Sequence, residues 1–262
     1  VVIGIIALLI SILLPALAKV RESAKTTKCA ANLRSIGQQL AAYATADPKG
    51  AYPLTYRGTW STGFPHTTYR ADKNKWDLRR AFGKAWGHNN IYYCPAPDPS
   101  YGPYELTDRT GSPNEKMHTN YLLLWGDKGN DTPGYKAMWE TAPGRSTPTQ
   151  FKGPTGMKDK SDWVIAQDVM WIDMQAADMA RTNHPVWGAG AVQGQIGSAS
   201  GEQIIESLSL RDADFYTKAR GANVLYNDFH VAFQQTSALT PIVFGGNGKQ
   251  YFIDFPQDLI GK

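Results

Sequence analysis

The chain opens with an apolar run that limits what the rest of it can fold into. Residues 1–18, VVIGIIALLISILLPALA, contain no charged side chain and no side-chain amide. A run of about 18 apolar residues is near the lower limit for one helix that crosses a bilayer. A helix that is apolar on every face suits lipid or the inside of a helix bundle better than the edge of a globular domain. We therefore expect residues 1–18 to form a membrane-spanning or bundle-forming helical segment.

Two other interpretations of this run stay open. One is a secretory signal peptide, because Ala16-Leu17-Ala18 has the small-x-small form that signal peptidase cuts. The sequence shows no basic residues ahead of the run, which argues against it. The other is a buried core helix, which an apolar character on every face argues against. Since a natural chain does not begin at Val without processing, we expect further residues ahead of Val1.

The composition of the 262 residues indicates a globular protein. Hydrophobic residues make up 42% of the chain and charged residues 19%, which excludes wholesale disorder and collagen-like or coiled-coil structures. The net charge of +4 lies between Val1 and Ala46, because the rest of the chain carries 22 basic and 22 acidic side chains. Nucleic acid is therefore not an expected partner, since phosphate binding needs a concentrated positive field.

A second helical pattern follows the apolar run. Side chains recur at steps of four and three residues, the spacing of one face of an amphipathic helix, at Cys29, Leu33, Ile36, Leu40 and Tyr43. Asp47-Pro48 and Lys49-Gly50 end the pattern, because proline disfavours helix at the preceding residue and glycine commonly terminates helices.

These two patterns predict one long rod. If Pro15 only kinks the helix, residues 1–46 span about 69 Å at 1.5 Å per residue. A rod of that length is too long for this chain to bury. We therefore divide the chain into an apolar segment at 1–18, an amphipathic stem at 19–46 and a globular α+β head domain at 47–262.

The sequence VVIGIIALLISILLPALAKVRESAKTTKCAANLRSIGQQL resembles the N-terminal helix of type IV pilin-like proteins and type II secretion pseudopilins. More specifically, it resembles the large-domain pseudopilins of planctomycetes and their relatives, and Pro15 falls where that superfamily has a helix-breaking proline. Shorter matches are NNIYYCP at 89–95, TNY at 119–121, VIAQD at 164–168 and GANVLYNDFHV at 221–231. The last is similar to a C-terminal family signature in which a His precedes Asp-Gly. Here Lys218 stands at the His position and Phe229 at the Gly position.

The resemblance implies an α+β, pilin-like fold in which a long N-terminal helix packs on an antiparallel β-sheet domain. It implies that prepilin peptidase leaves a short Phe-Thr-Leu-Ile-Glu-like start ahead of Val1, with a methylated first residue and an acidic side chain. The chain is then expected in the inner membrane, where it meets an assembly platform, and later in an extracellular filament or a periplasmic pseudopilus. The expected function is that of a structural subunit, without enzymatic activity or a required cofactor. A monomeric, membrane-anchored periplasmic binding module is the alternative.

In such a filament the partner is a homopolymer of this chain, held together through the N-terminal helices. Helix packing in lipid is decided by shape and polar pairing, because lipid is as apolar as leucine. Gly4 permits close approach of helices, and Pro15 removes one backbone hydrogen bond, which creates a site of bending or melting. The residues expected in the filament core are Val1, Val2, Ile3, Gly4, Ile5, Ile6, Leu8, Leu9, Ile12, Leu13, Leu14 and Pro15.

The head domain is predicted to have helices first and strands later, an α+β order. A short helix is predicted at 74–85. Ser200-x-x-Gln203 has the form of a capping box and predicts a second helix from Gly201 to about Ala219, ended by Gly221. Strands are predicted at 121–125, 135–139, 163–168, 223–226, 229–234, 242–244 and 251–255, with a final hairpin turning at 245–248.

The sequence around Asn227-Asp228 predicts a two-residue hairpin turn with Tyr226 opposite Phe229. Asn and Asp tolerate the left-handed region, whereas a turn at Asp228-Phe229 would force a bulky residue to positive φ. This register places Val224, Tyr226, Phe229, Val231 and Phe233 on one face and Asn223, Leu225, His230, Ala232 and Gln234 on the other. A one-residue slip would destroy that separation.

The two cysteines, Cys29 on the stem stripe and Cys94 before a proline, are candidates for a disulfide. In an exported chain such a bond would pin the stem to the head, at about 4 kcal/mol in the chain-entropy model. Two buried free thiols are the alternative, since free cysteines are common core residues. No CxxC motif or Cys/His cluster occurs in the sequence, so the spacing does not indicate zinc.

Asp127, Asn130 and Asp131 lie in one tight loop with Gly129, which makes them a candidate Ca²⁺ site. The loop lacks the bidentate Glu and spacing of an EF-hand, and a plain polar turn is the simpler interpretation. Asn130 also begins the one N-x-Ser/Thr sequon of the chain, a candidate glycosylation site.

One concentration of acidic and histidine residues suggests an acid–base or metal site, and it comprises Asp168, Asp173, Asp178, His184, Asp228 and His230. If one strand runs through Asp168 and Asp173, strand alternation puts them on opposite faces. No nucleophile elbow or HExxH pattern accompanies them. We therefore expect no enzymatic activity.

Overall fold

The computed structural model describes residues 2–53, 67–69, 78–82, 91–92, 94, 116–125, 138–141, 149–150, 154–173, 180–182, 184, 196–197, 203–204, 219–244 and 249–254. The helices are α1 (Val2–Ala46) and α2 (Leu78–Phe82). The strands are β1 (Thr67–Tyr69), β2 (Lys116–His118), β3 (Tyr121–Leu123), β4 (Met138–Thr141), β5 (Thr149–Gln150), β6 (Val164–Asp168), β7 (Met170–Asp173), β8 (Ala180–Thr182), β9 (Ile196–Gly197), β10 (Gln203–Ile204), β11 (Gly221–Tyr226), β12 (Val231–Gln235), β13 (Thr240–Phe244) and β14 (Lys249–Ile253). A 3₁₀ turn at Thr236–Ala238 lies between β12 and β13.

α1 is one continuous helix that includes Pro15. Its 45 residues give a length of about 68 Å at 1.5 Å per residue. The helix stops before Asp47, whose Oδ2 accepts the backbone N–H groups of Lys49 at 2.9 Å and Ala51 at 3.0 Å. The predictions of a single rod and of its end at 47–50 are confirmed.

The stem half of α1 presents one buried stripe to the head. Its fully buried members, at 0% exposure, are Cys29, Leu33, Ile36 and Leu40. Tyr43, the fifth predicted member, is half-buried and packs edge-on against Phe82 of α2, with ring centroids 6.3 Å apart. The steps of four and three residues therefore predict the packed face of the stem correctly.

The stem lies on a four-stranded antiparallel sheet with the strand order β12-β11-β6-β3. α1 contacts β11, β12 and β6. Every residue of the two central strands, β6 and β11, is buried. The core between helix and sheet includes Leu33, Ile36 and Leu40 of the stem and Tyr121, Ile165 and Leu225 of the sheet. Each buried aliphatic side chain of this kind stabilises the fold by about 1.5–3 kcal/mol.

A second antiparallel sheet has the order β5-β4-β13-β14-β7-β8 and continues from the first at two places. Val169 separates β6 from β7, and its N–H donates to the Asn120 carbonyl at 3.1 Å. The 3₁₀ turn separates β12 from β13. β1 pairs with β2 and β9 with β10. The predicted α+β class, a long N-terminal helix on an antiparallel sheet, is confirmed.

The predicted strands of the head each overlap a strand of the structure. The predicted helix at 74–85 is confirmed at Leu78–Phe82. β13 and β14 form the predicted final hairpin pair, while its turn at 245–248 lies outside the described residues. Seven strands that the structure describes were not predicted, and they are β1, β2, β5, β7, β8, β9 and β10.

The predicted helix from Gly201 to about Ala219 is wrong where the structure describes it. Gln203–Ile204 form β10 and pair with β9. Gly221, predicted to end that helix, instead begins β11 with a φ of 147°. A Cβ at Gly221 would lie 1.9 Å from the Gln234 carbonyl oxygen, so a glycine is required there. Strand pairing thus overrides the capping-box pattern at 200–203.

The predicted register of the β11–β12 hairpin is wrong by one residue. Leu225 pairs with Val231, so the turn contains the three residues 227–229 between the pair formed by Tyr226 and His230. Phe229 adopts the positive φ, 67°, that the prediction avoided. Leu225 and Val231 consequently lie together on the side of α1, and the all-apolar face predicted for Val224, Tyr226, Phe229, Val231 and Phe233 does not form.

Two tertiary contacts explain the positive φ of Phe229. The Asn227 side chain is committed to the head, because its Oδ1 accepts the Tyr52 hydroxyl at 2.8 Å and its Nδ2 donates to the Asp159 carbonyl at 3.0 Å. The Phe229 ring packs against the core beside Gly37 of the stem. A left-handed conformation costs a non-glycine residue about 1–2 kcal/mol. Complete burial of an aromatic ring stabilises a fold by about 1.5–3 kcal/mol, which is enough to offset this cost.

We predict that Gly37 and Phe229 are energetically coupled. A Cβ at Gly37 would lie 3.1 Å from Phe229 Cδ1 and 3.3 Å from Leu225 Cδ1. Gly37→Ala gains about 1 kcal/mol of helix propensity but loses much of it to this contact. In a Phe229→Gly background, Gly37→Ala should be more favourable by about 0.5–2 kcal/mol. Denaturant unfolding of the four proteins of this cycle measures the coupling, and additive effects would contradict the packing.

We also expect a chain without residues 1–18 to fold as a soluble monomer. The side chains at 2–17 are exposed, and the first fully buried side chain of α1 is Cys29. The deletion therefore removes no core contact. Gel filtration and circular dichroism of the truncated chain, compared with the full chain in detergent, test this expectation. An aggregated or unfolded product would show that the head depends on the deleted segment.

Candidate functional site

The first candidate site is the apolar segment at the start of α1. Its large side chains are exposed, from 49% at Ile10 to 83% at Ile3. By length and composition α1 can cross a membrane, with a mean hydropathy of 2.5 over an 18-residue window that is 0% buried. A signal sequence has the same character. Exposure holds for the predicted filament-core residues from Val2 to Pro15, while Val1 lies outside the described residues.

The one polar side chain of the apolar segment, that of Ser11, is bonded within the helix. Ser11 Oγ donates to the Leu8 carbonyl oxygen at 2.7 Å within the helix. Pro15 has no N–H, so it cannot donate to the carbonyl four residues earlier. A Cβ at Gly4 would meet nothing within 4 Å. A methyl group at Gly4 therefore meets no steric obstacle among the residues that the structure describes.

The second candidate site lies where the stem meets the head, and we call it the junction. It comprises Cys29, Cys94, Asp168 and His184, all of them buried. Cys29 and Cys94 form the predicted disulfide, with Cα atoms 5.1 Å apart. This bond joins the stem covalently to the head.

Asp168, the last residue of β6, is fully buried at the junction. Its Oδ2 accepts the backbone N–H of Asn223 at 2.8 Å and the Asn223 Nδ2–H at 2.7 Å. His184 Nε2 lies 2.7 Å from the same oxygen. A buried carboxyl group is tolerated only when it is hydrogen-bonded in this way.

Two further contacts tie this network to the stem. Asn223 Nδ2 lies 3.3 Å from the Thr26 carbonyl oxygen, to which it donates. Thr26 Oγ1 lies 3.3 Å from His184 Nδ1. Both ring nitrogens of His184 thus have polar neighbours, although the side chain is only 1% exposed. The stem, β6 and β11 together fix the orientation of the imidazole.

Asn32 and Tyr121 extend the polar contacts between stem and sheet. Asn32 Nδ2 donates to the Tyr121 hydroxyl oxygen at 3.2 Å. Burial raises the pKa of Tyr121 well above its ordinary value, and Asp168 raises it further, against a lowering by Asn32. The phenol therefore stays protonated and can donate a hydrogen bond.

The junction brings sulfur, nitrogen and oxygen ligands together. The ligand atoms of Cys29, Cys94, Asp168 and His184 lie within 4.8 Å of one another. The sequence pointed to all four residues as candidates, but nothing in it connects the cysteines with the acid and the histidine, because they come from four separate segments. The one sequence signal is that Asp168 ends a buried strand, where it can meet groups from neighbouring strands.

The other described members of the predicted acid–histidine set, Asp173, Asp228 and His230, are not part of the junction. Asp228 and His230 form a separate pair on the exposed β11–β12 turn, with Oδ1 and Nδ1 2.5 Å apart. Burial acts to raise the pKa of Asp228, but hydrogen bonds from the His230 backbone and ring outweigh it and lower this pKa overall. Asp173 lies in β7, so no single strand runs through Asp168 and Asp173. The residues Asp127, Asn130, Asp131, Asp178 and Lys218 lie outside the described residues.

No protein-family model, curated protein or solved structure matches this chain. Its function is therefore argued from the exposed apolar segment and the junction, together with the sequence resemblance of the N-terminal helix.

We predict that loss of the Asp168 carboxylate lowers the free energy of unfolding far more than loss of the half-buried Asp159 carboxylate. Asp159 Oδ2 accepts three hydrogen bonds, from Thr155 N, Thr155 Oγ1 and Gly156 N. Water can replace that carboxylate, so Asp159→Ala should cost about 1–2 kcal/mol. Asp168→Ala leaves buried donors unpaired and should cost about 3–5 kcal/mol. Equal losses in urea unfolding of the two variants would show that burial of the junction does not matter.

Proposed function

We propose that this chain is a structural subunit of a helical filament, of the type IV pilus or pseudopilus kind, which assembles through the apolar segment. The observation that carries the proposal is that one continuous helix has two different halves. The stem half is buried on the head between Cys29 and Ala44, whereas the apolar half is exposed. A large exposed apolar surface on a folded chain marks a site of interaction with lipid or protein.

A filament provides an apolar environment for this segment before and after assembly. Lipid surrounds the segment while the subunit is in the membrane, and the same segments of neighbouring copies surround it in the filament. Exposing apolar surface to water costs about 25 cal/mol per Å². Extraction from the bilayer into the filament avoids most of this cost, because little apolar surface becomes exposed. Lipid and leucine side chains are equally apolar, so shape complementarity decides which helix surfaces contact each other. Gly4 supports close contact, and Pro15 supplies a point of bending.

The sequence resemblance supports the same function. It assigns prepilin peptidase and an inner-membrane assembly platform as partners before assembly, and further copies of this chain afterwards. The subunit then moves from the inner membrane into an extracellular filament or a periplasmic pseudopilus. A pilin-like head on a long helix needs neither a cofactor nor a catalytic group for this role.

A monomeric, membrane-anchored binding module would use the same helix differently. As a tether, the apolar segment contacts lipid alone, so the size of one side chain has little effect. As a filament core, it contacts other copies, and size decides whether two helices can approach. A change of size at Gly4 therefore separates the two functions.

We predict that Gly4→Leu leaves the subunit in the membrane fraction at normal abundance and sharply reduces filaments. Leucine inserts into a bilayer at least as well as glycine, and a Cβ at this position meets nothing within 4 Å. In a close-packed bundle the added bulk would strain each subunit by about 1–3 kcal/mol, repeated along the filament. Negative-stain microscopy of sheared surface material and immunoblots of membrane fractions measure the two effects.

Gly4→Ala is the matched control, because it raises helix propensity as Gly4→Leu does but keeps a small side chain. It should assemble close to the wild-type level. Wild-type filament numbers with Gly4→Leu would mean that Gly4 faces no tight contact. A wild-type chain that forms no filaments under any condition, yet stays in the membrane, would support the tether instead.

A further inference from the structure

We propose that the junction, once its disulfide is reduced, is a binding site for a divalent transition metal ion of the zinc class. Cys29 and Cys94 would supply two thiolates, His184 an imidazole nitrogen and Asp168 a carboxylate oxygen. The proposal concerns the connection between stem and head and does not rest on filament assembly.

The geometry of the junction is close to that of a four-coordinate site. The four ligand atoms lie within 4.8 Å of one another, and all four residues are buried. In tetrahedral zinc sites the metal lies about 2.0–2.3 Å from each ligand, which places the ligands about 3.3–3.8 Å apart. The upper limit of 4.8 Å exceeds that spacing by about 1 Å, and the two sulfur atoms must move apart to reach it.

The surroundings of the junction resemble the supports that metal ligands need. Metal-bound histidines direct their second ring nitrogen to a polar partner, and ligating carboxylates are themselves hydrogen-bonded. Here Thr26 Oγ1 lies 3.3 Å from His184 Nδ1, which leaves Nε2 on the side of Asp168. Asn223 donates two N–H groups to Asp168 Oδ2 and holds the carboxylate in place.

The ligand set selects the class of metal. Thiolate and imidazole ligands favour zinc and its neighbours over Ca²⁺ and Mg²⁺, which prefer oxygen ligands. Two cysteines, one histidine and one aspartate, all of them buried, provide the four protein ligands of a structural site. Because every ligand is buried, the metal would bind as the stem docks on the head, so binding and folding are coupled.

The chemistry requires a two-electron reductant, and a dithiol is the class that we propose. The dithiol gives two electrons and two protons, the Cys29–Cys94 bond breaks, two thiols form and the dithiol becomes its own disulfide. Zn²⁺ then binds both sulfurs and displaces the two thiol protons to solvent. The stem is thus fixed to the head by an S–S bond in the oxidised chain and by two metal–sulfur bonds in the reduced chain.

Cobalt binding to the full chain in detergent tests the site. The chain is reduced with a dithiol, freed of it by anaerobic gel filtration, and titrated with Co²⁺, whose thiolate charge-transfer and tetrahedral d–d absorption report the ligands. We expect one Co²⁺ per reduced chain, displacement by Zn²⁺, and no such bands from the oxidised chain. His184→Gln and Asp168→Asn should each weaken binding by about tenfold or more, the size of effect seen around metal ligands.

Matched variants outside the junction are His230→Gln and Asp159→Asn, which should bind Co²⁺ as the wild type does. Absence of the bands from the reduced wild-type chain would overturn the proposal. So would bands that His184→Gln and Asp168→Asn leave unchanged, because the two thiols alone would then bind the ion.

If reduction of the disulfide destabilises the fold, thermal unfolding still tests the site. Zn²⁺ should raise the melting temperature of the reduced wild-type chain and leave that of a Cys29→Ser/Cys94→Ser chain unchanged. A reduced chain that Zn²⁺ neither stabilises nor refolds would also overturn the proposal.

Discussion

The structure depends on the packing of the stem half of α1 against the four-stranded sheet. Leu33, Ile36 and Leu40 are fully buried there and together stabilise the contact by about 5–9 kcal/mol. The Cys29–Cys94 disulfide adds about 4 kcal/mol in the chain-entropy model. Apolar burial is therefore the larger effect, and the disulfide fixes where along the helix the head is attached. Because α1 is continuous through Pro15, this packing also sets the direction of the apolar segment.

Polar contacts determine the position of the stem more sharply than apolar contacts can. A stripe of aliphatic side chains tolerates small shifts along a sheet, whereas a hydrogen bond is lost within about 1 Å. The bond from Asn223 to the Thr26 carbonyl and that from Asn32 to Tyr121 each join one stem residue to one strand. Asp168 and His184 lie between them and are bonded on several sides. The buried polar network thus selects one register of helix on sheet.

Sequence periodicity was sufficient for the elements whose packing follows a repeat. It predicted the stem stripe and the central strands β6 and β11, whereas the disulfide was expected from the presence of two cysteines in an exported chain. It failed at Phe229, because the ring contact with Gly37 comes from a residue far away in the chain. It failed at Gln203–Ile204, where strand pairing overrides a local capping pattern. The junction was not predicted as a unit for the same reason, since no repeat or motif connects Cys29 with His184.

The two halves of α1 also differ in how readily they can unfold locally. Melting the helix around Pro15 breaks mainly hydrogen bonds within the helix, because the side chains from 2 to 17 are exposed and none belongs to the described core. Melting beyond Cys29 would disrupt the core of the stem and the hydrogen bonds of the junction, while the covalent Cys29–Cys94 bond would remain. Pro15 lowers the cost of the first event further by removing one helical donor. Bending or melting of α1 therefore costs least in the residues before Thr26, and beyond Thr26 the stem stays fixed to the head.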